Sequence, residues 1–337
     1  MHMNTVRKKH IIENLSNLGT EKNTRYTNQE IVNHLKDLQR GIARYFIEKT
    51  NNENFRNQDI MIHFEPLAKK YGLDKTDAYK RFKSNMRELS QTIGSLINGI
   101  NGEKDAKNKL KLLDCDDNNQ ILENVQLEDE DIQAEYDFIV IATYGMFVIE
   151  VKNWKGIIKI SSDGFISRSD DRDVVYDFPG NMSVKEALLR KCLKEYFPTN
   201  YQCILYFPNE QSQLEGNYSL FPIVRGGGIS YEIRSYNTNE EVLSKEEINK
   251  VADIIRSSQK DQRTICKVKC DEIIADFADL MAQIEECSKP KESSKQIFDD
   301  NVSTLCTWFK KIDWNIVLNS AIREIPKLAL NMRWHRW

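Results

Sequence analysis

Asp137, Glu150 and Lys152 are the residues whose types and spacing point most directly to chemistry. They lie within Glu135-Tyr-Asp-Phe-Ile-Val-Ile-Ala-Thr-Tyr-Gly-Met-Phe-Val-Ile-Glu-Val-Lys152, two apolar runs on either side of a turn at Ala142 to Gly145. If that turn closes an antiparallel pair with Ala142 opposite Gly145, the same register sets Asp137 opposite Glu150, about 5 Å away. Lys152, two residues past Glu150, then leaves the same face. A bulge at Gly145 is the alternative, and a one-residue slip would send the groups to opposite faces.

Two carboxylates and an ammonium at one strand end suit metal-dependent phosphodiester hydrolysis. Asp137 and Glu150 can share Mg²⁺ (or Mn²⁺), hard cations that take oxygen ligands, with the Val151 carbonyl as a third ligand. Such a metal acidifies a bound water and offsets charge on the scissile phosphate. Lys152 can orient that water or stabilise the charge added in the transition state. The rival reading is an ordinary ion pair at a sheet end. Both runs are apolar on both faces, however, and charges entering a doubly buried sheet are costly unless paired or metal-bound.

Other chemistries are narrowed by composition. The five histidines are His2, His10, His34, His63 and His335, so none lies between Phe64 and Trp334. A Ser-His-Asp triad, a Cys-His pair or a His-ligated zinc is thereby excluded from the central region. The seven cysteines are odd in number and scattered, and Cys266 and Cys270 lack partners that would complete a zinc site. Reduced thiols in a cytoplasmic protein are the expectation. The formal net charge is −3, so contact with nucleic acid must come from local patches. Candidates are Lys152, Lys155 and Lys159, and a second set of Lys185, Arg190, Lys191 and Lys194 that reads more simply as a solvated helix face. No membrane partner is expected, because the longest apolar run, Phe138 to Ala142, is far short of a span. Met1 to Lys9 is basic but lacks the apolar stretch of a secretory signal.

The elements that must position these groups follow from periodicity. The 337 residues divide into a helical region over 1–101, a mixed segment over 102–258 and a helical region over 259–337 with a Trp-rich tail. Thr27 and Glu30 form a capping box ahead of the stripe Ile31, Leu35, Leu38, Ile42, Phe46. Tyr79, Phe82, Met86, Leu89, Ile93 and Leu96 make a second stripe, read as core packing in preference to a dimer seam, and Gly99 and Gly102 are expected to end it. A short helix is then expected from Gly102 to Leu113, with Glu103 in its first turn. Strands are expected at Ile121 to Leu127, Tyr136 to Thr143, Met146 to Lys152 and Gly156 to Ile160. Further strands are expected at Gln202 to Phe207, Leu220 to Val224 and Tyr231 to Tyr236. Helices are expected over Ser183 to Tyr196, opened by a Ser183/Glu186 capping box, and after the Ser244/Glu247 capping box. Strands mixed with helices predict an α/β layer structure.

Gly102-Glu103, then Glu135-Tyr-Asp137-Phe-Ile-Val-Ile, then Gly145-Met-Phe-Val-Ile-Glu150-Val-Lys152-Asn-Trp-Lys-Gly156 resembles the nuclease-related domain (NERD) family, a branch of the PD-(D/E)XK restriction-endonuclease-like nucleases. The resemblance covers about 102–258. It implies a restriction-endonuclease-like mixed sheet flanked by helices and Mg²⁺-dependent cleavage of DNA. By position it makes Asp137 and Glu150 the metal carboxylates and Lys152 the catalytic lysine. Glu103 matches the family's helical acid, an outer metal ligand, and Glu135 a recurrent acid before the aspartate. One departure stands out: Asn181-Met-Ser-Val-Lys185-Glu186 lacks the Pro and the Gln that such domains carry at the start of the following helix, which bears on substrate positioning. The resemblance implies a metal-dependent endonuclease or nickase, in a bacterial defence or DNA-processing role. The alternative is a catalytically silent nucleic-acid-binding or scaffold subunit that recruits a helicase or other partner.

Residues 301–337 read as a docking element for a second copy or another protein. Leu305, Trp308, Phe309, Ile312, Ile316 and Val317 form an apolar stripe, and the chain closes on Arg333-Trp-His-Arg-Trp337, residue types that dominate interface hot spots. The competing expectation is that the stripe packs on the chain's own helices. Deleting 301–337 is expected to leave a folded protein that loses its partner or dimer in size-exclusion chromatography; aggregation with a lowered melting temperature would show instead that the segment is core.

Overall fold

The computed structural model describes residues 2–52, 55–113, 119–130, 132–169, 171–216, 221–237, 242–261 and 263–288; the tail stripe of 301–337 lies outside these. Met1–Met281 form one compact unit and Ala282–Trp337 a second.

The N-terminal region is helical, as its stripes require. After α1 (His2–Leu15) and the two-residue strand β1 (Arg25–Tyr26), α2 (Asn28–Thr50) starts at the Thr27 capping box. It buries Ile31, Leu35, Leu38, Ile42 and Phe46, the expected face. α3 (Ile60–Lys70) and α4 (Asp77–Leu110) complete the layer. Tyr79, Phe82, Met86, Leu89 and Ile93 are buried within the chain itself, so the second stripe is core. Phe277 meets the rings of Tyr45, Phe64 and Phe82 at centroid distances of 5.9, 6.1 and 5.7 Å. That residue comes from α8 (Cys270–Cys287), far later in sequence than all three.

Gly99 and Gly102 do not end α4, and the separate helix expected from Gly102 is its continuation. Glycine weakens a helix by about 1 kcal/mol but does not stop one that tertiary packing supports. Here Ala106 and Leu110 of the last turns, with Leu113 beyond them, pack on Phe138, Val140, Phe147 and Ile149. Gly102 has a packing reason, since a Cβ there would sit 2.5 Å from Asn153 Cβ.

The central sheet has five strands in the order β10-β8-β4-β3-β2. β2 (Gln120–Asp129), β3 (Ile132–Ala142) and β4 (Gly145–Val151) run antiparallel, whereas β8 (Tyr201–Phe207) joins β4, and β10 (Ile223–Arg225) joins β8, in parallel. Alternation divides the sheet cleanly. Phe138, Val140, Phe147, Ile149, Ile204 and Tyr206 face α4 and α6 (Ile229–Ser235). Ile139, Ile141, Met146, Val148, Leu205 and Phe207 face α5 (Phe178–Leu193) and α7 (Lys245–Ser258). Every residue of β4 is buried, as expected of a strand covered on both faces. The chain is thus mixed α/β, its sheet flanked by helices.

A second, four-stranded sheet in the order β7-β6-β5-β9 was not expected. Only β5 (Gly156–Ile160) has a strand signal; β6 (Phe165–Arg168) and β9 (Ser212–Glu215) are four residues each, and β7 (Asp171–Asp177) sets Val174, Val175 and Tyr176 among charged residues. Tyr231 to Tyr236 is a further correction. Its aromatic and β-branched residues suggest a strand, but Ile229 and Ile233, four apart, bury one face of the helix α6 instead. The strand expected from Leu220 is confined to Ile223–Arg225 among the described residues. The start of α5 also differs: Asp177 caps it by accepting from Gly180 N, with Pro179 in the first turn, and the Ser183 hydroxyl donates to the Pro179 carbonyl at 2.9 Å. The pair β1 with β11 (Thr264–Ile265) completes the fold.

The glycines of α4 allow an internal comparison. Gly94 faces open space, so Gly94→Ala is expected to stabilise the chain by about 1 kcal/mol. Gly102→Ala is expected to destabilise it by about 1 to 3 kcal/mol, because its methyl would press on Asn153. Urea unfolding of the two variants checks this; effects of the same sign would contradict the packing account.

Candidate active site

The hairpin register is the unshifted one, with Ala142 opposite Gly145 and Phe138 opposite Ile149. Asp137 and Glu150 follow at the open end of this ladder. Alternation carries both toward the face covered by α5. There they line one cavity of about 390 Å³ with Val151, Lys152, Glu103 and Glu135. All four acids and the lysine singled out from the sequence thus meet in one space. Glu103 reaches it from α4, and the loop after β4 is held to the same helix by Asn153 Nδ2 donating to the Asn98 carbonyl at 2.8 Å. Asn28, at the start of α2, also lines the cavity, so its wall includes N-terminal helices. An adjoining polar cavity of about 280 Å³ shares Asn28 and Glu135 and extends to Tyr26 and Arg263.

The two central carboxylates are held differently. Asp137 Oδ2 accepts the Val151 N–H at 2.6 Å. Burial and then the charge of Glu150 push its carboxyl above the usual aspartate range, against the opposing pull of Lys185 and Lys152. Burial also acts to raise Glu150, but the ammonium groups of Lys185 and Lys152 overcome it and hold this carboxyl below its usual range. Glu150 Oε1 accepts from Lys152 Nζ at 2.7 Å and from the Tyr176 hydroxyl at 2.8 Å. Glu150 Oε2 accepts from Lys185 Nζ. Glu103 is pushed up to about 7 by burial and then by the nearby charge of Glu135.

Lys185 and Tyr176 were missed as site residues. The sequence groups Lys185 with Arg190, Lys191 and Lys194 as a cationic helix face. The structure separates them: Arg190 pairs with Glu186 and Lys191 with Asp129, whereas Lys185 is buried against Glu150. A signal was present, because Met182, Lys185 and Leu189 share the apolar side of α5. Tyr176 comes from β7, whose charged sequence gave no strand pattern. Of the other candidate patch, Lys155 and Lys159 are exposed, whereas Lys152 is half-buried.

The donors facing the cavity are hard oxygens, with no imidazole or thiol at Asp137 or Glu150. Among the described residues no group of three or more His, Cys, Asp or Glu side chains is set to hold a metal ion. Two carboxylates and a backbone carbonyl, with water completing the shell, nonetheless fit Mg²⁺, which keeps several waters and commonly takes only one or two carboxylates. Asp137 and Glu103 are each held above the usual range first by burial and then by a neighbouring carboxylate.

Residues 98–208 match the nuclease-related domain (NERD) family. The PD-(D/E)XK superfamily is the general context of that family. The NERD match begins in α4, takes in the hairpin, the loop after β4 and α5, and ends just beyond β8. Every acid and lysine discussed at the cavity therefore lies inside it, and Asn28 lies outside. Comparison with curated proteins gave no match, and comparison with solved structures gave none. Among the described residues no helix is long and apolar enough to cross a membrane.

The raised carboxyls set a pH dependence. A group whose folded pKa is raised contributes stability that is complete below its unfolded pKa and lost as pH climbs through the folded one. With EDTA present, Asp137→Asn is therefore expected to melt progressively higher relative to the unsubstituted protein as pH rises from about 4, the ordinary carboxylate range, toward neutrality. A difference that does not change with pH would contradict the assignment of Asp137 as a carboxyl held above its ordinary range.

Proposed function

We propose that the chain is a Mg²⁺-dependent nuclease that hydrolyses DNA phosphodiester bonds at the cavity around Asp137, Glu150 and Lys152. The observation that carries this reading is the convergence of a buried glutamate, a half-buried aspartate and a lysine at one strand end inside the segment that matches the nuclease-related domain. Asp137, Glu150 and the Val151 carbonyl would hold the ion, with Glu103 acting through water. A bound Mg²⁺ supplies a water of lowered pKa and positive charge at the scissile phosphate. Lys152 is the proton donor: its stem leaves a half-buried loop residue, and its ammonium lies 4.2 Å from the Tyr176 ring centre. From there it can donate to the attacking water or to a phosphate oxygen as charge builds. Tyr176 keeps Glu150 oriented while Lys152 moves, because its hydroxyl donates to the same carboxylate oxygen. A role in bacterial defence or DNA processing follows from family analogy.

One observation favours the silent-subunit reading. Both oxygens of Glu150 are already taken by ammonium groups, as they would be in a purely structural ion pair. Plasmid, linear duplex and single-stranded DNA incubated with Mg²⁺, Mn²⁺ or EDTA separate the two. The enzyme reading expects divalent-dependent cleavage that Asp137→Ala and Glu150→Ala abolish while the chain stays folded by circular dichroism. Lys152→Ala is expected to slow cleavage by at least about a hundredfold. Binding without cleavage, or cleavage undiminished in either carboxylate variant, would overturn the assignment.

A further inference from the structure

We infer that Lys185 is a built-in counter-cation of the metal site, a positioning residue that a divalent ion must displace from Glu150 on binding. The inference rests on the metal-site reading above and concerns how that site stays charge-balanced without the ion. Glu150 carries two ammonium partners, Lys152 on Oε1 and Lys185 on Oε2, where one would neutralise it. The second positive charge answers to Asp137, the other carboxylate in this part of the cavity, on which Lys185 also acts. Lys185 thus balances, in the ion-free protein, the charge that a divalent cation would balance when bound.

The surroundings of Lys185 suit this exchange. Its residue is 8% exposed, so an ammonium there is costly without a paired carboxylate. The helix turn that carries it is pinned to the sheet, since the buried Tyr136 hydroxyl donates to the Lys185 carbonyl at 2.6 Å. Only the side chain is then free to move. The ammonium also lies 5.5 Å from the Tyr136 ring centre, an aromatic face that can receive a cation leaving the carboxylate. Lys152 has the same pairing of carboxylate and ring with Tyr176. Two lysine and tyrosine units therefore flank one glutamate. Both lysines line the same cavity, Lys152 half-buried at 21% side-chain exposure and Lys185 more deeply set at 10%.

The consequence is that Lys185 weakens metal binding. Full-length protein, Lys185→Gln, Lys185→Arg and Asp137→Asn would be titrated with Mn²⁺, reading free ion by electron paramagnetic resonance, with no nucleic acid present. Lys185→Gln is expected to bind Mn²⁺ at least about tenfold more tightly, because one nearby positive charge is gone. Lys185→Arg, which keeps the charge, is expected to stay within about threefold of the unsubstituted protein, and Asp137→Asn to lose the site. The unsubstituted protein supplies a second readout that no variant's folding can spoil. Acetylation of Lys185, followed by mass spectrometry, is expected to rise severalfold on saturation with Mn²⁺. Mn²⁺ binding that depends on Asp137 but is unchanged or weakened in Lys185→Gln, or Lys185 labelling indifferent to the ion, would overturn this inference alone. Absence of any Asp137-dependent binding would overturn the metal site and this inference with it.

Discussion

Two carboxylates at the end of a sheet covered on both faces are the constraint around which the rest is arranged. Asp137 and Glu150 leave β3 and β4 toward α5, Glu150 buried and Asp137 half-buried at the wall of the cavity. Charges so placed must be met by other charges or by a change of protonation. The structure uses both. Glu150 is met by Lys152, Lys185 and Tyr176, drawn from three different elements, while Asp137 receives one backbone N–H and is held above its usual range. This asymmetry leaves the Asp137 carboxyl at the cavity with a backbone N–H as its hydrogen-bond donor, while the ammonium groups sit on Glu150.

The scaffold can be read from that requirement. The apolar residues of β3, β4 and β8 alternate so that each face is covered, α5 brings Lys185 to the acid-bearing face, and the second sheet brings Tyr176. α4 ties the segment that matches the nuclease-related domain, residues 98–208, to the helical region. It begins in the aromatic core around Phe82 and Phe277, passes Glu103 to the cavity, and ends by packing Ala106 and Leu110 on the opposite face of the sheet. Its close approach at Gly102 lets the loop bearing Lys152 lie against it. With Asn28 also at the cavity, the helical region is part of the site's wall.

How much of this was legible depended on sequence distance. The register of Asp137 and Glu150 could be read because a tight turn and two short apolar runs lie within 18 consecutive residues. The capping boxes at Thr27 and Ser244 were equally local, and both form. Lys185 was not legible as a site residue, since its partner lies 35 residues away and its neighbours Arg190 and Lys191 are ordinary surface cations. The second sheet escaped because strands such as Ser212–Glu215 carry no alternating apolar pattern. The α6 segment was misread because local β preference was outweighed by the four-residue spacing of Ile229 and Ile233 against the sheet. The break expected at Gly99 and Gly102 failed because packing outweighs glycine's modest helix penalty.

The central claim is that the cavity at the end of β3 and β4 is a divalent-metal centre. Its most direct test is a crystal of the full chain grown with Mn²⁺ and measured for anomalous scattering. The account predicts a Mn²⁺ peak within coordination distance of the Asp137 carboxylate, with Glu150 or the Val151 carbonyl as a second ligand. A saturated crystal with no peak in this cavity, the Lys152 and Lys185 ammonium groups still seated on Glu150, would contradict it.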